Sequence, residues 1–577
     1  MIARAVLVLL LTFGGAAQAA VHYRIDASQR TTPPGPTTVT VDVDAAPASL
    51  VLVFANWLPG AYELRWFGRD VQGPTSSSGT VERVSPARFV VSGHPPGSHV
   101  RITYRITSAL LSDDGAEVSA EHVYVNPAAM LPMIVGAERE AVTLSVDGLP
   151  PSWPRVCSLA PDGRAETLYR ASGWRELADA LFESAPTLAT RVLTVDGARV
   201  TIALHAARPD IPPALVDVVQ KLLHAEVALA GPLPFARYLL LVHRTDRPGR
   251  SVGLEHADAT SILVPEAAAP AQWVDADLRH MLAHELFHAW NARRLVPEGL
   301  ATWTPETPQS SRSLWISEGL TEYAALVAQA RAGTMTTREL AASLGELLTR
   351  ARRAEVGLSL EALSQLAFSA PHAVAGDDDA YYAVGAVVSL VLVGELVQHS
   401  NKALPELMAA LLPRPGEPAR TIAREQLGAA LDALSPGTSN VLEQLAAQPW
   451  SFATLVEHLR TDGIALVLGE PALDASIIVD KSVIRYVEPG GAWARAGVLA
   501  GDTLVSIDGL PCTKGRLDAL TARSHPLVVT RAGYELSLIL TPRLVLGEVT
   551  IAPASLSTGC ATPACRARAR LFGPLAN

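Results

Sequence analysis

His284-Glu285-Leu286-Phe287-His288-Ala289-Trp290-Asn291 carries more chemical information than any other stretch of the chain. Two imidazoles at i and i+4 lie one helical turn apart on the same face, so both reach a single metal ion. Leu278, Leu282 and Leu286 form an apolar stripe on a different face of the same helix, so that one side packs while the other coordinates. His280 sits one further turn upstream. It lies about 12 Å from His288 along the axis, at 1.5 Å per residue, too far to share an ion whose bonds to nitrogen are about 2.1 Å. Glu285, between the two histidines, is placed to act as a base beside such an ion.

A reactive metal takes three protein ligands and leaves one position open. Downstream, Trp315-Ile316-Ser317-Glu318-Gly319-Leu320-Thr321-Glu322-Tyr323 offers the third ligand. The segment resembles the W-x-x-E-G motif of gluzincin peptidases, and the resemblance implies that Glu318 completes the set. Glu322, one turn on, would accept a hydrogen bond from a ligand histidine and fix its tautomer. The cofactor expected on this basis is one Zn2+ per chain, held by His284, His288 and Glu318.

Further segments resemble one gluzincin family, the M61 glycyl aminopeptidases. The run Trp290-Asn291-Ala292-Arg293-Arg294 is similar to its H-x-W-N-x-K/R-R continuation. Gly253-Leu254-Glu255-His256 matches its G-L-E-H segment, Trp57-Leu58-Pro59-Gly60-Ala61-Tyr62 its W-x-P-G-S-Y turn, and Tyr381-Tyr382-Ala383-Val384-Gly385 its Y-Y-x-K-G. The thirty-position step from His288 to Glu318 also favours M61 over aminopeptidase N relatives. Two positions depart from the pattern: Val252 stands where a second Gly is common, and Val384 replaces a Lys.

The resemblance implies that Glu285 is the general base and Tyr382 the oxyanion donor, Tyr381 being the alternative. Gly253, Leu254 and Glu255 would bind substrate, with the Glu255 carboxylate pairing the free α-ammonium of a peptide. The implied activity is removal of N-terminal Gly or Ala. A zinc endopeptidase, with Glu255 structural, is the runner-up. A non-catalytic peptide-binding protein is the alternative from another class.

The chain has 577 residues and a net charge of −10. That length predicts several domains, and the acidic balance excludes nucleic acid as the main partner. Residues 1–19 read as a signal peptide: Arg4 ahead of an apolar core, then Ala17-Gln18-Ala19 as a cleavage site. No Cys follows for a lipid anchor, and the apolar run Ala383 to Gly394 is short enough for a buried helix. The expected protein is therefore exported, periplasmic or secreted, without a membrane anchor. Cys560 and Cys565 are close enough in sequence to pair, although four cysteines allow three pairings.

The expected fold class is multidomain α+β. In residues 20–188, Val39/Val41/Val43, Ile102/Tyr104/Ile106 and Val142/Leu144/Val146 alternate with polar neighbours, as in a β-sandwich-like domain. Residues 189–455 turn helical after a few strands, which fits a thermolysin-like zinc peptidase domain with a helical lobe. In residues 456–547 the stretch AGVLAGDTLVSIDG resembles the PDZ domain of bacterial proteases, implying a possible C-terminal peptide ligand. Residues 548–577 read as a tail. Asp377-Asp378-Asp379 reads as a helix cap rather than a calcium site.

Overall fold

A computed structural model describes residues 21–165, 167–208, 210–245, 251–265, 274–369, 380–475, 477–487, 491–558 and 562–573. The expected signal peptide and the Asp377–Asp379 run lie outside these residues.

The three alternating runs of the N-terminal unit join one seven-stranded sheet. Val39 pairs across from Tyr104 and Val41 from Ile102, while Val21–Asp26 bridges to Val142–Asp147 in parallel. A period of two puts every second side chain on one face, and that face is buried at Val39, Val41, Ile102, Tyr104 and Leu144. A four-stranded sheet supplies Leu50, Leu52, Phe89 and Val91 to the same core. One short helix, Trp174–Ala178, buries Trp174 and Leu177 there.

The next unit is built on a five-stranded sheet ordered Leu188–Val195, Ala198–His205, Arg237–Thr245, Ala259–Pro265, Val252–Glu255. The middle strands run parallel, and Val252–Glu255 is an antiparallel edge. Both faces are covered. Ile202, Leu204, Leu240 and Val242 meet the helices, whereas Ala203, Leu239 and Leu241 meet Tyr124 and Leu181 of the N-terminal unit.

Beyond this sheet the chain is helical. Ala276–Phe287 carries His284 in its last turn and is capped by His288, and Asp275 caps its start by accepting from the Leu278 N–H. Leu314–Ala332 carries Glu318, and Ala380–Ser400 carries Tyr382. The last contains the long apolar run and is buried almost throughout, as a central helix of the lobe. These two helices cross where neither has a side chain. A carbon built at Gly319 would stand 2.5 Å from the Gly385 carbonyl carbon, and one at Gly385 would stand 2.8 Å from the Trp315 oxygen.

The C-terminal unit contains a six-stranded sheet spanning Ile477–Leu540, with its own core of Ile484, Trp493, Leu504, Leu527 and Val529. Asp502 is buried and held bidentately by Arg531, at 2.7 and 2.8 Å. Asp508 and Gly509 both have positive φ, as a two-residue hairpin turn requires. This unit stands on a stalk of two short ladders, Leu466–Leu468 with Val549–Ile551 and Ala472–Leu473 with Leu544–Val545.

The segment read as a tail therefore begins with a strand of that stalk. It continues into Pro563–Phe572, whose Leu571 and Phe572 are buried in the lobe's core. Tyr323 donates to the Leu571 carbonyl at 3.0 Å. Cys565 is disulfide-bonded, while Cys157 and Cys512 are free.

The glycine crossing generates a direct test. Gly319→Ala and Gly385→Ala each force a methyl into backbone, and overpacking of this kind costs about 1–3 kcal/mol. Calorimetric unfolding of either variant is expected to show a lower Tm than the unsubstituted protein.

Candidate metal centre

Three elements converge on the two histidines. The histidine helix presents His284, Glu285 and His288, all buried, and the crossing helix brings Glu318 against them. The Nε2 atoms of His284 and His288 stand 2.9 Å apart, and Glu318 Oε2 lies 3.5 Å from the first and 3.2 Å from the second. A tetrahedral ion with bonds of about 2.1 Å spaces its ligands about 3.4 Å apart. The triad has that spacing.

The tautomers point the same way. His288 Nδ1 donates to the Asn291 carbonyl at 2.8 Å, and a carbonyl only accepts, so the proton is on Nδ1. His284 Nδ1 donates to Glu322 Oε2 at 2.9 Å. With both Nδ1 protons turned outward, the two Nε2 atoms face each other across 2.9 Å, a separation that calls for a positive charge between them, either a shared proton or a metal cation. The three residues fit a divalent metal.

The surrounding field favours positive charge. Burial opposes protonation of His284, but its hydrogen bonds to Glu318 and Glu322 win and raise its pKa well above the usual value. Burial likewise opposes ionisation of Glu318 and Glu322, yet the facing imidazoles hold both carboxyls far down. Glu285 differs. Burial dominates there, and its carboxyl is pushed up to about 7.

Glu322 also accepts from His280 Nε2 at 2.9 Å. His280, Glu322 and His284 thereby form a second close-set group that shares His284 with the triad, and His280 is not among the three residues His284, His288 and Glu318.

The edge strand Val252–Glu255 runs beside the histidine helix. A carbon added at Gly253 would come 2.7 Å from the Glu285 carboxylate, so this glycine makes room for the side chain. Leu254 and Glu255 are both buried. Glu255 Oε1 lies 3.9 Å from Arg293, which also pairs with Asp179 at 3.3 Å. Its charge acts on His288 and Glu285. The Tyr382 ring stacks near His284 with centroids 5.9 Å apart, and Tyr381 adjoins it at 4.9 Å.

Several participants escape a reading of the sequence. Tyr62, from the N-terminal unit, donates to Glu318 Oε1 at 3.0 Å across 256 positions of chain. Burial and the neighbouring Glu318 raise its pKa, so it remains a neutral donor. Gly60 in the same turn closes on Glu255, where a side-chain carbon would stand 2.7 Å from Oε2. The Trp-x-Pro-Gly-x-Tyr turn held a signal for this only as part of a resemblance. Asn291 donates to the Ile316 and Ser317 carbonyls at 2.8 and 2.9 Å, tying the histidine helix to the Glu318 helix.

Residues 277–388 match the family described as M61 glycyl aminopeptidase, and residues 22–184 match the peptidase M61 N-terminal domain. The chain belongs to the M61 family. Its fold is similar to an aminopeptidase N family protein from Idiomarina loihiensis, with a TM-score of 0.74 at 20% identity, over 93% of this chain and 99% of that one. An M1 zinc metallopeptidase from Deinococcus radiodurans, solved with a Tyr-Ser-Ala substrate, aligns with a TM-score of 0.44 at 15% identity, over 74% of this chain and 93% of its own. No curated protein sequence matches. Family membership and the three-ligand centre together make this M61 chain a metallopeptidase, with zinc the metal suggested.

Partners behind the ligands tune metal affinity by about 10–100-fold. Glu322→Gln is accordingly expected to weaken zinc binding by a factor in that range in chelator competition, and Asn291→Ala to do the same by releasing the His288 loop.

Proposed function

We propose that this M61 protein is an exported aminopeptidase that removes N-terminal residues, Gly or Ala first, from short peptides. The observation that carries this is Glu255. It is a buried carboxylate at the end of an edge strand, 6% exposed, whose charge reaches both His288 and Glu285. A buried carboxylate there is matched to the α-ammonium of a peptide whose first residue is at the centre. Arg293 serves Asp179 as well as Glu255, so the substrate amine has a carboxylate to meet.

His284, His288 and Glu318 would hold one zinc ion, which supplies Lewis acidity to a water molecule and to the scissile carbonyl. Glu285 then takes the proton of that water on its carboxylate and delivers it to the departing amine. A carboxyl raised to about 7 is suited to both transfers near neutral pH. The Tyr382 hydroxyl, on the helix beside His284, would donate to the oxygen on which negative charge develops. The backbone of Gly253 and Leu254 lies where an extended peptide would add to the sheet edge.

Two further parts of the proposal stand on the sequence. Export rests on residues 1–19, and the Cys565 disulfide suits an oxidising compartment. The C-terminal unit is read as a PDZ domain able to take a C-terminal peptide. Its own core and the glycine turns at Gly497, Gly501 and Gly509 support that reading.

The test is hydrolysis of Gly-, Ala- and Leu-peptide substrates with free and acetylated amino termini by the zinc-loaded protein. Cleavage confined to free termini, fastest for Gly and Ala, is expected. Equal cleavage of acetylated forms would overturn the aminopeptidase and leave an endopeptidase, and no cleavage at all would leave a binding protein.

Two substitutions sharpen it. Glu285→Gln should lower kcat by about 10²–10⁴-fold with zinc content unchanged. Glu255→Gln removes one partner of a desolvated ion pair, worth about 3–5 kcal/mol. It should therefore depress kcat/KM on free-amine substrates by hundreds-fold or more while sparing zinc binding.

A further inference from the structure

A second set of imidazoles and a carboxylate lies at the seam between the N-terminal unit and the five-stranded sheet. His122 immediately precedes the strand Val123–Val125, and Glu183 sits in Phe182–Ser184, which pairs with it. His205 and His243 are register partners on adjacent parallel strands of the central sheet. They lie on the sheet face that carries Ala203 and Leu241, the face packed against the N-terminal unit. Two donors thus come from each side of the seam.

The four side chains do not satisfy one another. His122 Nε2 meets Glu183 Oε1 at 2.9 Å, and His122 Nδ1 lies 3.5 Å from Glu117. Beyond that, Glu183 Oε2, His205 Nδ1 and both ring nitrogens of His243 are buried without a hydrogen-bond partner. The nearest carboxylate oxygen to His243 Nδ1 is Glu183 Oε1, at 3.5 Å. Glu183 and His243 are fully buried. An unpartnered buried polar atom costs about 1–3 kcal/mol, and native structures rarely carry several at one point.

Each of the four residues offers one ligand atom, and these atoms all lie within 4.8 Å of one another. Tetrahedral ligation at about 2.1 Å needs edges of about 3.4 Å, so the widest separations must contract by up to about 1.4 Å, within the reach of side-chain rotation. The His122 and His205 rings already stack face to face with centroids 3.9 Å apart. The Tyr124 ring meets His243 edge-on at 4.8 Å, closing the apolar wall.

We propose that His122, Glu183, His205 and His243 form a second metal site, taking a divalent transition metal of the zinc class, which pins the N-terminal unit to the central sheet. Three imidazoles and one carboxylate are borderline donors that suit zinc over magnesium or calcium. They fill a four-coordinate shell without leaving a position for water, which marks a structural rather than a reactive ion. The site is independent of the function proposed for the His284 centre.

The test is metal stoichiometry of the full chain, prepared without a histidine tag, loaded with zinc and freed of loosely held ions. Two zinc ions per chain are expected. His284→Gln/His288→Gln, which disables the first centre, should retain one. Adding His205→Gln and His243→Gln should remove it.

Cobalt loading of the His284→Gln/His288→Gln protein gives a second readout, because four-coordinate cobalt absorbs strongly in the visible. That band should vanish when His205 and His243 are also replaced. One zinc ion in the unsubstituted protein and none in His284→Gln/His288→Gln would overturn the proposal, and that comparison does not need the His205 variant to fold.

Discussion

The close crossing of Gly319 and Gly385 governs the geometry of the lobe. Two helices meet backbone to backbone only where both side chains are absent. Glu318 directly precedes one of these glycines, and Tyr381 and Tyr382 stand one turn before the other. The distance from Glu318 to the two tyrosines is therefore set by a contact in which neither group takes part. Asn291 adds a second constraint by binding the carbonyls just ahead of Glu318. Ligand placement is thus a property of helix packing rather than of the ligands themselves.

On that frame sits an unusual concentration of buried charge. Glu255, Glu285, Glu318 and Glu322 all adjoin the two imidazoles with little access to water. Each carboxylate would be costly alone. Arg293 and a metal cation held between the histidines would balance much of this charge, and His280, Tyr62 and the Asn291 carbonyl satisfy further polar atoms by hydrogen bonding. A network this interlocked resists rearrangement, because a member that moves strands another without a partner. Glu285 is the exception, left to burial with a raised pKa, and so able to exchange a proton.

Legibility in the sequence followed locality. His284, Glu285 and His288 share one helical turn, and Glu318 and Glu322 another, so spacing alone brought each group to one face. The period-two strands at Val39, Ile102 and Val142 were equally plain, because burying one face imposes alternation on the strand itself. What spacing could not convey was any contact made by tertiary folding.

Tyr62 reaches Glu318 from another unit, and Arg293 meets Asp179 across more than a hundred positions. His122, Glu183, His205 and His243 come from four separate segments, with no two at a recognisable metal spacing. The segment after residue 548 reads as a tail, with a basic stretch from Arg566 to Arg570, because nothing local marks what it packs against. Its role is visible only from what Leu571 and Phe572 pack against.

That last helix has a consequence for biogenesis. The lobe's core takes Leu571 and Phe572, yet the ribosome delivers them only after the whole stalked unit has been made. Helices from residue 314 onward emerge long before, with an apolar groove still open. Contacts spanning so much chain form late, since loop closure must precede any gain from them. Completion of the lobe therefore waits until Leu571 and Phe572 have been made, and the nascent chain carries an unfilled hydrophobic surface until then, a natural point of engagement for chaperones.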